Sequence, residues 1–386
     1  MKRLGIFCLV FLMVAGLMPV SAGAVDLNIP AKAAILIDAA TGTVLYEQDA
    51  HTPLPPASVS KVMTMLLIME AIDDGRIGWE DMVTASATAA AKGGSQIYLK
   101  EGETMSVATL LKSVAVSSAN DAACALAEHI AGSETAFVSQ MNQRAKELGM
   151  NETNFVNCTG LDDDETAENH RTSAYDIALM SRELLTKHPD IKKYTTIWMD
   201  TVRDGSFGLS NTNKLVRFYQ GATGLKTGYT SQAGFCLSAS AERDGMELIA
   251  VVLGCDTSAE RFAACKSMLD HGFAGYALIE PQLDRQVGVP VKLGTVSQVQ
   301  AVPADEGAVL IDKAQKNTVN IKVELSEGVE APVSKGQRLG TMTVRSGEQI
   351  LAEVPLVAAE PVARLSWGEI FVRMFRSLCL GKYNAK

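Results

Sequence analysis

The chain has 386 residues, of which 47% are hydrophobic and 20% charged, with a formal net charge of −9. That length and apolar content support a large core and more than one domain, and exclude a disordered protein. The acidic balance and the lack of basic clusters exclude a nucleic-acid partner, because phosphate recognition needs concentrated Lys and Arg.

Residues 1–24 have the pattern of an export signal: Lys2 and Arg3 start it, Leu4 to Val20 is apolar, and Ala22-Gly23-Ala24 fits a small-residue cleavage site. The mature chain then begins near Val25 and acts outside the cytoplasm, at the extracytoplasmic face of the membrane or in the wall. An uncleaved anchor is the alternative that the length of the apolar run allows, although the cleavage site favours removal. Of the seven cysteines, Cys8 would leave with the signal. The others, Cys124, Cys158, Cys236, Cys255, Cys265 and Cys379, show no C-x-x-C pair and too low a density for a disulfide scaffold. They read as small core residues, with one disulfide of unassigned partners left open.

After the signal, Ala34 to Asp38 and Val44 to Tyr46 flank a Thr-Gly turn and predict a hairpin. Pro55-Pro56 stops the extended chain. Ser58 then precedes Val62, Met65, Leu66, Met69 and Ile72, which recur at helical spacing and place Ser58 on the first turn of a buried helix. Ala108 to Ile130 predicts two helices around a polar corner at Ser117 to Asp121. Phe137 to Leu148 and Ser173 to Leu185 predict two more, the second capped by Thr172 or Ser173. From Gly224 the pattern changes to strands at Phe235 to Ala239 and Leu248 to Leu253, joined at Arg243-Asp244-Gly245, followed by a helix from Arg261 to Gly275. Beyond Pro281, Val-rich alternating runs such as Thr318 to Leu325 predict a separate β domain. The fold expected is α/β (α+β): an antiparallel sheet flanked by helices over 25–276, then a β-sandwich-like domain over 281–360 and an amphipathic tail helix over 361–386.

Three motifs occur in order: Ser58-Val59-Ser60-Lys61, Ser118-Ala119-Asn120 and Lys226-Thr227-Gly228. Each alone is weak, since a solvated lysine after an N-cap or a polar turn would explain it, but together they are specific. Helical residues three apart share a face, so Lys61 can aim its amine at the Ser58 hydroxyl. A lysine at its ordinary pKa of about 10.4 is charged and useless as a base. Burial and a neighbouring cation, for which Lys226 is the obvious source, must therefore lower it. The Ser118 hydroxyl suits proton relay, and the Asn120 amide suits hydrogen bonding to a bound peptide. Around Lys226-Thr227-Gly228, which precedes a strand, the glycines leave room for a peptide to add along a sheet edge, with Lys226 and Thr227 facing its terminal carboxylate.

From about Ala33 to Gly275 the sequence resembles the low-molecular-weight penicillin-binding proteins that act as serine-type D-alanyl-D-alanine carboxypeptidases. The resemblance rests on Pro56 to Thr64, Ser118 to Ala123, Thr159-Gly160-Leu161-Asp162 and Gly221 to Thr230. It implies a β-lactamase/transpeptidase-like fold, with Ser58 as acyl-enzyme nucleophile and Lys61 as proton acceptor. Ser118 and Asn120 would complete the catalytic set, and Lys226, Thr227, Gly228 and Tyr229 would bind substrate. It further implies an oxyanion hole from the Ser58 and Tyr229 N–H groups and a supporting role for Arg261 at the terminal carboxylate. The partners implied are peptidoglycan stem peptides, with β-lactam antibiotics as covalent inhibitors. No metal or organic cofactor is implied.

His170 invites a Ser-His-Asp triad, but with five histidines and no G-x-S-x-G elbow a structural role is favoured. Asp162 to Glu165 lacks the alternating ligands of a calcium loop and reads as a solvated acidic loop. In the tail, Trp367, Ile370, Phe371, Met374, Phe375 and Leu378 share a helical face flanked by Arg364, Arg373, Arg376, Lys382 and Lys386, which favours a membrane surface over packing on the protein. Three rival functions remain at this stage. A β-lactamase would need a Glu-containing deacylation motif that is missing between Asn120 and Lys226. A D,D-endopeptidase would use the same residues, and a non-catalytic wall-binding protein would not need Ser58, Lys61 and Lys226 intact.

Overall fold

A computed structural model describes residues 27–162, 167–280, 287–304 and 308–379 of the chain. The export signal and most of the acidic run, Asp163 to Glu165, lie outside the described residues, as do Lys382 and Lys386.

Five antiparallel strands form the first sheet, in the spatial order Val44–Gln48, Ala33–Asp38, Met246–Cys255, Gly234–Arg243 and Ala222–Thr230. The opening hairpin thus closes against the last strands of the region. Ala33 to Asp38 is buried throughout because both faces of its strand are covered. Ile35, Ile37, Ile249 and Val251 enter one core, while Ala34, Leu36, Leu248 and Ala250 enter the other, which follows from the two-residue period of a strand. Helix Ser258–Gly275 covers the second face with Ala264, Cys265, Met268 and Leu269, and starts at a capping box formed by Thr257 and Glu260. The first face carries helices Lys61–Asp73, Val107–Ser117, Asn120–Ala131 and Ala174–Lys187. Ser173, of the two expected caps, accepts from the Asp176 N–H.

Lys61 to Met69 is buried on every side, so the helix is a central rod rather than an amphipathic surface helix. This explains why its apolar spacing is dense and why any polar group on it must serve a purpose. Two short antiparallel pairs, Met82–Thr84 with Thr104–Ser106 and Met199–Val202 with Phe207–Ser210, form in segments where the sequence offers no clear alternation.

Tyr276–Ile279 leaves the Ser258–Gly275 helix directly and pairs with Val309–Asp312. A six-stranded sheet follows in the order Val319–Leu325, Arg338–Ser346, Gln349–Ala358, Gln298–Pro303, Val287–Lys292 and Val329–Glu330. Ala277, Val309 and Ile311 of the strand pair share one core with Val289, Val299, Leu339, Met342 and Leu356 of the large sheet. The Val319–Leu325 alternation does not mark a half-buried strand: this is an edge, with Ile321 and Val323 exposed along with Lys322 and Glu324. Its charges oppose pairing with other chains. Trp367–Cys379 is helical, and Trp367, Phe371, Met374 and Phe375 stand in solvent, Trp367 being 88% exposed.

Candidate active site

The Ser58 turn is built by close backbone packing. After the two prolines, Ala57–Ser60 forms a 3-10 turn that runs directly into the Lys61–Asp73 helix. Ala57 holds a φ of 49°, which a side chain tolerates only under constraint. Two glycines supply it. A Cβ on Gly160 would lie 1.9 Å from the Ala57 carbonyl oxygen, and one on Gly228 would lie 2.7 Å from the Pro56 oxygen and 3.1 Å from the Ser58 nitrogen. Gly160 also has a φ of +77°. Gly160→Ala is therefore expected to cost about 3 kcal/mol or more in stability and to displace Ser58. Thermal unfolding together with the β-lactam acylation rate checks this, and a variant as stable and as reactive as the parent would contradict the clamp.

Behind the turn, Ser60 Oγ donates to the Ala57 oxygen at 2.9 Å and stands 2.7 Å from His170 Nε2. His170 Nδ1 stands 3.2 Å from the Val156 nitrogen, whose N–H points to it. The histidine braces the turn through Ser60, as a structural residue.

Lys61 lies in the first helical turn with Nζ 3.0 Å from Ser58 Oγ and 2.7 Å from the Thr159 carbonyl, to which it donates. It is fully buried. Burial lowers its pKa to about 7, against the opposing pull of Cys158 and Asp121. The depression thus comes from desolvation, and the neighbouring cation expected to cause it bears the effect instead. Lys226 is held well below the usual lysine value, first by its own burial and then by the positive charges of Lys61 and Arg261.

Ser118 ends helix Val107–Ser117 in a left-handed conformation, with φ 64°, and Asn120 opens the next helix. Asn120 is buried: its Nδ2 donates to the Gly93 carbonyl at 2.7 Å, and its Oδ1 has no partner among the described residues. An acceptor in that state costs on the order of 1–3 kcal/mol unless a ligand satisfies it. Asp121 beside it accepts from the Ile97 and Leu99 N–H groups at 3.2 and 2.9 Å and so holds the Gly93–Leu99 loop against the site.

Lys226, Thr227 and Gly228 lie inside strand Ala222–Thr230 rather than before it, at the free edge of the sheet. Lys226 is 1% exposed and donates to the Thr227 carbonyl at 2.8 Å. Thr227 Oγ1 donates to Thr212 Oγ1 at 2.6 Å, and the Thr212 N–H reaches the Val116 carbonyl, so Thr212 ties the strand to the helix that ends at Ser118. Arg261 reaches from the covering helix to the Gly228 carbonyl at 2.8 Å. It lies between the rings of Phe235 and Phe262. Tyr229 is exposed and stacked on Phe235.

The motifs thus meet around one turn: Lys61 on Ser58, the Gly228 strand against the Ser58 nitrogen, Lys226 within electrostatic reach of Lys61, and Asn120 at the head of a helix packed on that of Lys61. Missing from the motifs are Thr159, Asn157, Asp121 and Thr212. Asn157 Oδ1 accepts from the Thr159 and Gly160 N–H groups, which aims the Thr159 carbonyl at Lys61. A backbone acceptor has no residue-type signature, and only the Thr159-Gly160-Leu161-Asp162 stretch pointed to this loop. Cys124, Cys158, Cys236, Cys255 and Cys265 are free thiols and buried, in keeping with core residues.

An antiparallel sheet between a helical lobe and one covering helix, with a serine and a desolvated lysine at the head of the central helix, defines a penicillin-interacting serine hydrolase. The family model described as D-alanyl-D-alanine carboxypeptidase, peptidase S11, matches residues 20–257, and that of the penicillin-binding protein 5 C-terminal domain matches 284–364. The chain belongs to the S11 family of D-alanyl-D-alanine carboxypeptidases. It is 44% identical to D-alanyl-D-alanine carboxypeptidase DacF of Bacillus subtilis over 341 residues, 86% of either chain. To DacC of Escherichia coli it is 34% identical, over 87% of this chain and 85% of the other. Penicillin-binding protein 5 from Haemophilus influenzae has a similar crystal structure, with TM-score 0.74 and 30% identity, covering 87% of this chain and 98% of that one. The ampicillin-bound penicillin-binding protein D2 of Listeria monocytogenes is 34% identical with TM-score 0.59, covering 64% and 99%.

Proposed function

We propose that the protein removes the terminal D-alanine from peptidoglycan pentapeptide stems through an acyl-enzyme on Ser58. The observation that carries this reading is the Lys61 amine, 3.0 Å from Ser58 Oγ and buried so that its pKa falls to about 7. In its neutral form it accepts the hydroxyl proton as Oγ bonds to the carbonyl carbon of the penultimate residue. The C–N bond to the last D-alanine then breaks and the leaving amine takes that proton. Water hydrolyses the ester in a second step. The Ser58 and Tyr229 N–H groups serve the oxyanion, where loss of one donor typically costs on the order of a hundredfold in rate. Ser118 relays the proton, and the unsatisfied Asn120 oxygen accepts a substrate N–H. Lys226 and Thr227 meet the terminal carboxylate, with Arg261 adding positive charge beneath the Gly228 strand.

The test is D-alanine released from a peptide ending in D-Ala-D-Ala, measured beside release from crosslinked dimers and hydrolysis of penicillin. Release from the linear peptide with slow loss of the penicillin adduct is expected. Fast penicillin turnover without D-alanine release would overturn the reading. β-Lactams acylate Ser58 in this account because their strained amide occupies the place of the scissile bond, and the ampicillin-bound Listeria protein supports it.

The same reading assigns residues 1–24 to export, 25–276 to the catalytic domain, 281–360 to a β domain and 361–386 to an anchor that lies on the membrane surface. Supporting the anchor, Phe371, Met374 and Phe375 are exposed on a terminal helix, while Arg373 turns away to the Gly294 and Thr295 carbonyls. Among the described residues no helix is long and apolar enough to cross a membrane. Replacing both Phe371 and Phe375 by Glu should lower partition onto anionic lipid vesicles by at least about a hundredfold, since each phenylalanine contributes about 1.5–3 kcal/mol when buried and the added carboxylates are repelled by the lipid. Sedimentation with vesicles measures it, and unchanged binding would remove the helix from that role.

A further inference from the structure

A cavity of about 220 Å³ lies beside the Ser58 site, lined among others by Lys92, Glu134, Val138, Asn157, Thr159 and Leu161. It touches both loops that serve the reaction. Thr159 gives its carbonyl to Lys61, and Lys92 immediately precedes Gly93, whose carbonyl holds Asn120. Gly94 marks how closely these loops meet: a Cβ there would be 2.8 Å from Asn120 Nδ2 and 3.1 Å from Leu161 Cδ2. One backbone position thus brings the Asn120 amide close to Leu161 of the cavity lining, and an extended substrate bound at Asn120 advances only about 3.3 Å per residue.

The polar groups inside are unequally committed. Glu134 Oε2 accepts from Lys92 Nζ at 2.6 Å, and Oε1 accepts from the Cys158 N–H and Sγ, both at 3.2 Å. Its acceptor capacity is taken up by Lys92, by Cys124 Sγ at 3.8 Å, and by Cys158, next to Thr159. An ammonium has three donors, and Glu134 takes the one that is engaged among the described residues. Burial acts against the Lys92 charge, but the hydrogen bond and charge of Glu134 prevail and keep the side chain protonated. The cavity thus has donors to offer and no free carboxylate.

We propose that this cavity is the subsite for the side chain of the residue preceding D-Ala-D-Ala, and that Lys92 selects a side chain ending in a carboxylate. This rests on the carboxypeptidase reading above and adds a substrate preference to it. A charged hydrogen bond of this kind supports a preference of on the order of tenfold.

The test compares two peptides that differ by one carboxylate, carrying meso-diaminopimelate or lysine before D-Ala-D-Ala, by kcat/KM for D-alanine release. Benzylpenicillin acylation, measured on each variant, reports whether the Ser58–Lys61 chemistry is intact. The parent enzyme should prefer the diaminopimelate peptide about tenfold, Lys92→Met, which also frees Glu134 to oppose a carboxylate, should bring the ratio to about unity or below, and Lys92→Arg should restore it. A parent ratio near one, or a preference that survives in Lys92→Met, overturns the subsite. Should Lys92→Met fail to fold, the parent ratio and Lys92→Arg decide. Loss of D-alanine release from both peptides would instead overturn the carboxypeptidase reading, and this one with it.

Discussion

Ser58→Ala is expected to lower D-alanine release by at least about four orders of magnitude while leaving the fold intact, because loss of a nucleophile removes the covalent route and leaves only binding. The turn does not depend on the hydroxyl: Gly160, Gly228 and the Ser60–His170 contact hold it through other atoms. Lys61 keeps its bond to the Thr159 carbonyl in the variant, so its amine does not become an orphan. The loss should fall on kcat with little change in peptide affinity, since Asn120, Lys226 and the strand edge remain. Single-turnover release of D-alanine, with circular dichroism to verify folding, measures both. Release within tenfold of the parent would remove Ser58 from the mechanism.

The acid limb of the rate is the second large effect. With its pKa lowered to about 7 by burial, Lys61 is a neutral base above that value and a protonated spectator below it. The β-lactam acylation rate should therefore be level above about pH 7 and drop about tenfold per unit beneath it. Lys61→Arg puts a group there that stays charged at every accessible pH, and acylation should fall by on the order of a thousandfold with no recovery at high pH. Rates across the range with a neutral-chain penicillin check both. A flat profile, or an inflection in the carboxylate range, would assign the base elsewhere. The sign for stability follows from the same shift. Between about pH 7 and about pH 10 the unfolded chain binds a proton at this lysine that the folded chain rejects, so stability rises with pH across that window, and below it the burial penalty of Lys61 is fully present and no longer varies with pH.

The three motifs were legible because the chemistry demands particular side chains at helical or strand spacing. A serine and a lysine three residues apart on an apolar helix, such as Ser58 and Lys61, point to one another whatever surrounds them. Of the two causes expected to lower the lysine, burial was legible and the neighbouring cation was misread. The expected cation, Lys226, turned out to be the more perturbed partner, and the main cause is the desolvation of a helix packed on all sides. Thr159 lies 98 residues from Lys61 and contributes a carbonyl, which every residue has. Thr212 and Asp121 act as ties between loops, and their type is common at surfaces, so only folding distinguishes them. In the second half, alternation at Val319–Leu325 was real but marked an edge, because period two reports a pleated strand and not how many of its faces are covered. The hairpin, the helix pair around Ser118 and the adjacent strands at Phe235 to Ala239 and Leu248 to Leu253 followed from turn residues and runs long enough to be unambiguous.

Intact mass of the purified protein after incubation with benzylpenicillin, followed by peptide mapping, tests the account most directly. The prediction is a gain of one intact antibiotic per chain, located on the peptide that contains Ser58, and absent from Ser58→Ala. An adduct mapped to another residue, or none on a protein that still releases D-alanine, would contradict it.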